Sequence, residues 1–190
     1  MKNKKRILIL APHTDDGEFG CGATISKLSE KGSEIYYVAF SIAEESVPPE
    51  FSRDILKTEV KKAINVLGVK KENLILFNYR VRQLASSRQE ILEDLVRLNK
   101  EIKPDLVFQP SFNDLHQDHS TVANEGIRAF KKTSVLGYEM PWNNLNLHTQ
   151  CFSEITEANL NCKINALKCY ESQLGKSYAS EIFIKSLAIT

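Results

Sequence analysis

The sequence predicts an α/β domain built on a doubly wound, mostly parallel sheet with helices on both faces. Three observations lead there. Short runs rich in Ile, Leu, Val and aromatic residues alternate with longer stretches whose apolar residues recur at helical spacing. Glycine, proline or polar clusters punctuate nearly every junction between them. The chain's 190 residues, 42% of them hydrophobic, are enough for one domain whose sheet is buried on both sides.

The elements follow in order. Residues 5–10 read as a buried strand running into a loop at 11–20, and residues 22–31 as a helix closed by Gly32. Residues 34–40, with Tyr36, Tyr37, Val38 and Phe40, suit a second strand. Pro48-Pro49 marks a loop over 41–50. Residues 51–67 present Ile55, Ala63, Ile64 and Leu67 as a helical face that stops at Gly68. A third strand at 73–77, a loop at 79–87 and a helix at 89–102 repeat the alternation, and Pro104 ends that helix. Residues 105–109 form a fourth strand, 110–118 a polar loop, 119–131 a helix and 134–138 a fifth strand. Beyond these the expectation is a loop around Trp142, a strand at 150–155, and helices near 157–170 and 178–187.

Composition removes several functional classes. Lys and Arg number 25 against 24 Asp and Glu, so there is no electrostatic footprint for nucleic acid or for an acidic membrane surface. The basic start and Ile7-Leu8-Ile9-Leu10 do not make a signal peptide, because His13 and Asp15 interrupt at once. No apolar run approaches the roughly 20 residues needed to span a bilayer. The four cysteines form no CxxC pair, so free thiols in a cytoplasmic protein are expected.

In a sheet of order 3-2-1-4-5, the loops after the first and fourth strands flank the topological switch point, where ligands bind. The first of these loops carries His13-Thr14-Asp15-Asp16-Gly17-Glu18, and the second Asn113-Asp114-Leu115-His116-Gln117-Asp118-His119. Three of the four histidines therefore meet a crowd of carboxylates. Two neutral imidazoles and a carboxylate are a familiar zinc set, and a further unligated carboxylate can act as general base. Asp15 and Asp16 offer both parts if an extended backbone turns them apart. His116 and His119 share a helical face, so that one can bind metal while the other, protonated, stabilises an oxyanion.

These two loops resemble the paired motifs of the PIG-L/LmbE-like deacetylases. Residues Pro12 to Thr24, starting Pro-His-Thr-Asp-Asp, are similar to the family's first motif and His116-Gln117-Asp118-His119 to its second. Glu59, Ala63 and Leu67-Gly68 resemble the helix between them. The resemblance implies a Rossmann-like fold and hydrolysis of the N-acetyl group of a GlcNAc-type amino sugar or its conjugate. It implies a metal, Zn²⁺ or another divalent first-row ion such as Fe²⁺, held by His13, Asp16 and His119. Asp15 becomes the general base, His116 the electrostatic stabiliser, and Asp118 a partner that orients His116. The substrate is a small molecule, and a homo-oligomer is left open.

Two departures stand out. Gly17 occupies a position where many relatives have an acid. Relatives also continue through further segments, whereas this chain stops at Thr190, so the expectation is a single domain over residues 1–190, truncated at its C-terminus relative to them. Arg82 is a candidate substrate contact, and Arg53, Arg80 and Arg88 read as surface charge. His148 reads as solvated. Trp142 is either a sugar-stacking platform or a packing aromatic. A nucleotide-binding enzyme is disfavoured, since no GxGxxG follows the first strand. A metal-dependent amidase for a non-sugar N-acyl substrate and an inactive metal- and sugar-binding module are the alternative readings.

Overall fold

The computed structural model describes residues 4–146 and 148–189. Its sheet has the order β3-β2-β1-β4-β5, and every pairing is parallel. The strands are β1 (Arg6–His13), β2 (Glu34–Ser41), β3 (Leu74–Leu76), β4 (Leu106–Pro110) and β5 (Ser134–Tyr138). Between and after them run α1 (Asp16–Glu30), α2 (Ile55–Val66), α3 (Arg88–Ile102), α4 (Gln117–Ala129), α5 (Glu157–Lys168) and α6 (Glu181–Ile189).

Two-residue alternation along the central strand splits the core into two layers. Ile7, Ile9 and Ala11 face one side and pack with Ile25 of α1, Val60 and Ile64 of α2, and Ile164 and Leu167 of α5. Leu8 and Leu10 face the other and pack with Ile91 and Leu95 of α3 and Val122 of α4. Burying such side chains contributes about 1.5–3 kcal/mol each, which is why β1 reads as an unbroken apolar run.

Several boundaries differ from the sequence reading, two of them at the site. Strand β1 continues to His13, because β2 pairs with it as far as Ser41. Helix α1 begins at Asp16 rather than at residue 22, with Asp16 and Glu18 in its first turn, where the positive end of the helix dipole favours acids. A kink at Cys21 (φ −143°, ψ 22°) divides that helix, so the regular pattern legible in sequence starts only after it. The strand expected at 150–155 does not form. That segment has no regular structure and is largely exposed, with Phe152 80% accessible. Among the described residues no helix is long and apolar enough to cross a membrane.

Candidate metal centre and catalytic site

The site lies at the C-terminal ends of β1 and β4, the switch point of the sheet. His13 is the last residue of β1, and Asp16 is the first of α1. The loop after β4 is shaped by Asp114, whose Oδ1 accepts the His116 backbone N–H at 2.9 Å and whose carbonyl accepts the Ser120 hydroxyl at 2.8 Å. That turn places His116 at the cap of α4 and His119 in its first turn.

Three donor atoms converge. Asp16 Oδ2 lies 3.0 Å from His13 Nδ1 and 3.2 Å from His119 Nε2. The three ligand atoms are all within 4.8 Å of one another, so the cluster could hold a metal ion. The outer nitrogen of each imidazole is held by a second carboxylate: His13 Nε2 lies 3.0 Å from Asp118 Oδ2, and His119 Nδ1 2.7 Å from Asp114 Oδ2. Metal-binding histidines are typically oriented this way, so the donor set fits a divalent ion. His13, His116 and Asp118 form a second possible grouping. There the Asp118 carboxylate accepts two backbone N–H groups, one on each oxygen, from Arg82 (2.6 Å) and Leu84 (3.2 Å), against the single N–H of His13 on Asp16 (2.7 Å), and we favour the first set.

Electrostatics point the same way. Burial opposes charge on His13, yet the Asp16 charge and the hydrogen bonds to Asp118 and Asp16 raise its pKa to about 9. Burial likewise opposes charge on His119, but Asp16 and Asp114 raise it to about 10. Asp16 is held well below the usual carboxylate range despite its burial, because both imidazoles face it. Without a cation the cluster keeps its charge balance with protons on the imidazoles, so a divalent ion must displace them. Burial, and then the neighbouring Asp16, push Asp15 up, while Lys176 and His13 pull it down.

Every proposed site residue falls in or beside this cluster, with two revisions of geometry. Asp15 and Asp16 diverge because Asp15 sits at the cap of α1 and Asp16 inside it, not because the loop is extended. Asp15 makes no side-chain cap to the helix, which leaves its carboxylate at the cavity. Asp118 does not orient His116 through its carboxylate, which faces His13 and the loop before α3. Only its backbone N–H reaches His116, donating to Nδ1 at 3.2 Å. His116 Nδ1 is thus an acceptor, and burial together with His119 and His13 lowers the pKa of the ring.

Arg82 lines the cavity and lies 3.8 Å from Glu45, which also pairs with Arg80, whereas Arg88 pairs with Glu125. The Arg82 backbone is left-handed (φ 64°), a conformation anchored by the N–H bond to Asp118. His148 is exposed. Cys21 is buried outside the candidate ligand groups, and burial pushes its thiol up to about 12.

Several further residues support the site. Asp114 was visible only as a turn residue two positions before a histidine. The Thr14 carbonyl, between His13 and Asp15, accepts the hydroxyls of Tyr37 (2.9 Å) and Tyr170 (2.7 Å), and fully buried Glu18 bonds to both tyrosines. Burial raises Glu18 to about 8 in spite of those bonds. Gly17 is explained by the same cluster: a Cβ there would lie 2.6 Å from the Tyr37 ring, and its N–H donates to the Tyr37 hydroxyl at 3.1 Å. An acid at that position would not fit. Buried Glu59 of α2 accepts the backbone N–H (2.9 Å) and hydroxyl (2.6 Å) of Ser172, fixing the segment that brings Gln173, Lys176 and Tyr178 to the cavity. Glu59 lies beside Val60 on the inward face of α2, and in the sequence it stands out only through this and through the resemblance of its helix to the family's.

The fold and the cluster define a class: an α/β domain with a His–Asp–His group able to hold a metal at its switch point. Within it, the chain belongs to the PIG-L family, described as GlcNAc-PI de-N-acetylase, whose pattern matches residues 8–130. It is 27% identical over 175 residues to the uncharacterized deacetylase YaiS of Escherichia coli K12, covering 89% of this chain and 92% of that one. The N,N'-diacetylchitobiose deacetylase of Pyrococcus horikoshii superposes with a TM-score of 0.79 at 25% identity, covering 99% of this chain and 78% of the other. The 4-carboxy-2-hydroxymuconate hydratase GalB of Pseudomonas putida KT2440 shares the fold (TM-score 0.78, 19% identity, 97% of this chain and 84% of that one). The fold alone therefore does not determine the reaction.

Proposed function

We propose that the chain is a zinc-dependent N-deacetylase that hydrolyses the acetamide of a GlcNAc-type amino sugar or its conjugate, releasing acetate and the free amine. The observation that carries this reading is the convergence of His13 Nδ1, Asp16 Oδ2 and His119 Nε2 on the floor of a cavity that Asp15 and His116 also line. Membership of a de-N-acetylase family and likeness to a chitobiose deacetylase support the substrate class. Four free cysteines support a cytoplasmic setting.

His13, Asp16 and His119 hold the ion. When bound, zinc supplies Lewis acidity that makes water a nucleophile near neutral pH and polarises an acyl oxygen. The donor set also accommodates Fe²⁺. Asp15 takes the proton of the attacking water and returns it to the departing amine nitrogen, so the C–N bond breaks without expelling an amide anion. His116 donates its Nε2–H to the oxygen that gains negative charge. Asp118 and Asp114 keep the two ligand rings in the tautomer that turns a lone pair towards the ion. Arg82, at the cavity wall, contacts a hydroxyl or an anionic substituent of the sugar.

The test is acetate release across a panel of N-acetylhexosamines, their glycosides and phosphates, and non-sugar N-acyl amides, with metal content measured on the same sample. Release from amino sugars by protein carrying about one zinc per chain is the expected result. Hydrolysis confined to non-sugar amides would replace the substrate class, and zinc and sugar binding with no release would reduce the chain to a recognition module.

A further inference from the structure

The chain's single tryptophan lies in the wall of the candidate active site. Trp142 sits on a short 3₁₀ turn, Pro141–Asn143, that follows β5. Tyr178 stacks on it with ring centroids 4.4 Å apart and planes at 15°, and Phe19 meets it edge-on at 5.3 Å and 83°. Phe19 is also edge-on to Tyr178, at 5.5 Å. Phe183 of α6 also approaches the indole, tilted at 53° with centroids 6.0 Å apart, so rings from four separate parts of the chain meet here. Yet Trp142 remains 36% accessible, whereas Phe19 is 8% accessible. Part of the indole therefore stays open where Trp142 lines the cavity.

The wall is indexed to the metal cluster from two directions. Phe19 lies three residues after Asp16 on the same helix. The turn bearing Trp142 is tied to the loop after β4, since Leu115 N–H donates to the Asn143 carbonyl at 3.0 Å and Asn143 Nδ2 reaches Asp114 Oδ2 at 3.4 Å. Asp114 is the group that holds His119. The cavity they share measures about 250 Å³, just below the usual range of about 300–1,000 Å³ for ligand pockets, which suits one ring-sized ligand. Planar amides of Asn143 and Gln173 also line it.

We propose that Trp142 is the platform on which the pyranose ring of the N-acetyl amino sugar stacks, with the acetamide directed at the metal cluster. A pyranose presents a face of C–H groups while its hydroxyls point outwards. The C–H face matches the negative face of the indole, and the rim hydroxyls match the amides. This inference rests on the amino-sugar reading above, and Trp142 with its braces defines the specificity: a cyclic sugar is retained, and an open-chain N-acetyl amide of equal polarity is not.

The single tryptophan makes the test direct. Zinc-loaded protein is titrated with the methyl glycoside of N-acetylglucosamine while Trp142 emission is followed, and acetate release is measured in parallel. The expected result is a saturable emission change whose midpoint follows KM. Trp142→Leu should raise KM by about tenfold with kcat and zinc content little changed, and Trp142→Phe should fall between, since it keeps an aromatic face and the packing. Acetate release with unresponsive Trp142 emission, and with KM unchanged in both variants, overturns the platform and leaves the deacetylase reading intact. Saturable emission change without acetate release from any amino sugar keeps the platform and overturns the deacetylase reading. No emission change and no release from any amino sugar overturns both.

Discussion

Replacing Asp114 by Asn changes one buried carboxylate into an amide of nearly the same shape. In the native chain Asp114 Oδ2 faces His119 Nδ1 at 2.7 Å, and Oδ1 accepts the His116 N–H at 2.9 Å. Both contacts are donors pointing at acceptors. An amide has only one acceptor end. If its oxygen stays with His116, its NH2 faces His119 Nδ1, which must then give up its proton, and the ring carries its proton on Nε2, the nitrogen turned to Asp16. If the amide flips, its NH2 opposes the His116 N–H. A counter-effect exists, because losing the Asp114 charge makes His119 less basic and eases removal of its proton. The tautomer effect wins, since a proton on Nε2 occupies the lone pair that would bind the ion. Outer partners of this kind are worth about 10–100-fold in metal affinity, or about 1.4–2.8 kcal/mol. Competition against a chromophoric zinc chelator measures this, with Tm as a control for folding. Unchanged zinc affinity in a folded Asp114→Asn protein would refute the orienting role.

Asp15→Asn should keep zinc while kcat falls by about 10²–10⁴-fold, and Asp16→Ala should lose the metal; zinc analysis beside acetate-release kinetics separates the two, and the reverse pattern would exchange their roles. Gly17→Ala should destabilise the protein by about 1–3 kcal/mol, because the new methyl meets the Tyr37 ring at 2.6 Å; denaturant unfolding checks it, and wild-type stability would mean that the ring moves aside freely. Lys163 donates from Nζ to the Phe19 carbonyl at 2.6 Å beside the kink of α1, and burial lowers its pKa to about 8 from an ordinary 10.5. A depressed lysine contributes stability that is present above about 10.5 and is lost as pH falls through about 8. Stability of the wild type relative to Lys163→Met should therefore decline between pH 10.5 and 8, as read by urea unfolding at each pH. A constant difference over that window would place the ammonium in water.

Much of this was legible in the sequence, for a physical reason. The order and type of the five strands and of the long helices follow from local periodicity, and a parallel sheet buried on both faces demands the apolar runs seen at residues 7–10 and 34–40. The switch-point rule then brought the loops after β1 and β4 together, and with them His13, Asp15, Asp16, His116 and His119. Tertiary structure decided what local pattern does not encode. The start of α1 at Asp16 depends on Gly17 closing against Tyr37 from β2, a contact across 20 residues. Whether the Asp118 carboxylate serves His116 or His13 depends on which ring β1 delivers to it, from 105 residues away. Glu59 gained its role from Ser172, 113 residues on. The strand expected at 150–155 failed because strand propensity forms a strand only where a neighbouring edge supplies hydrogen bonds. Periodicity reports what a residue needs, burial or water. Which partner meets that need is decided by residues far along the chain, because a buried polar group is satisfied by whatever the fold carries within about 3 Å of it.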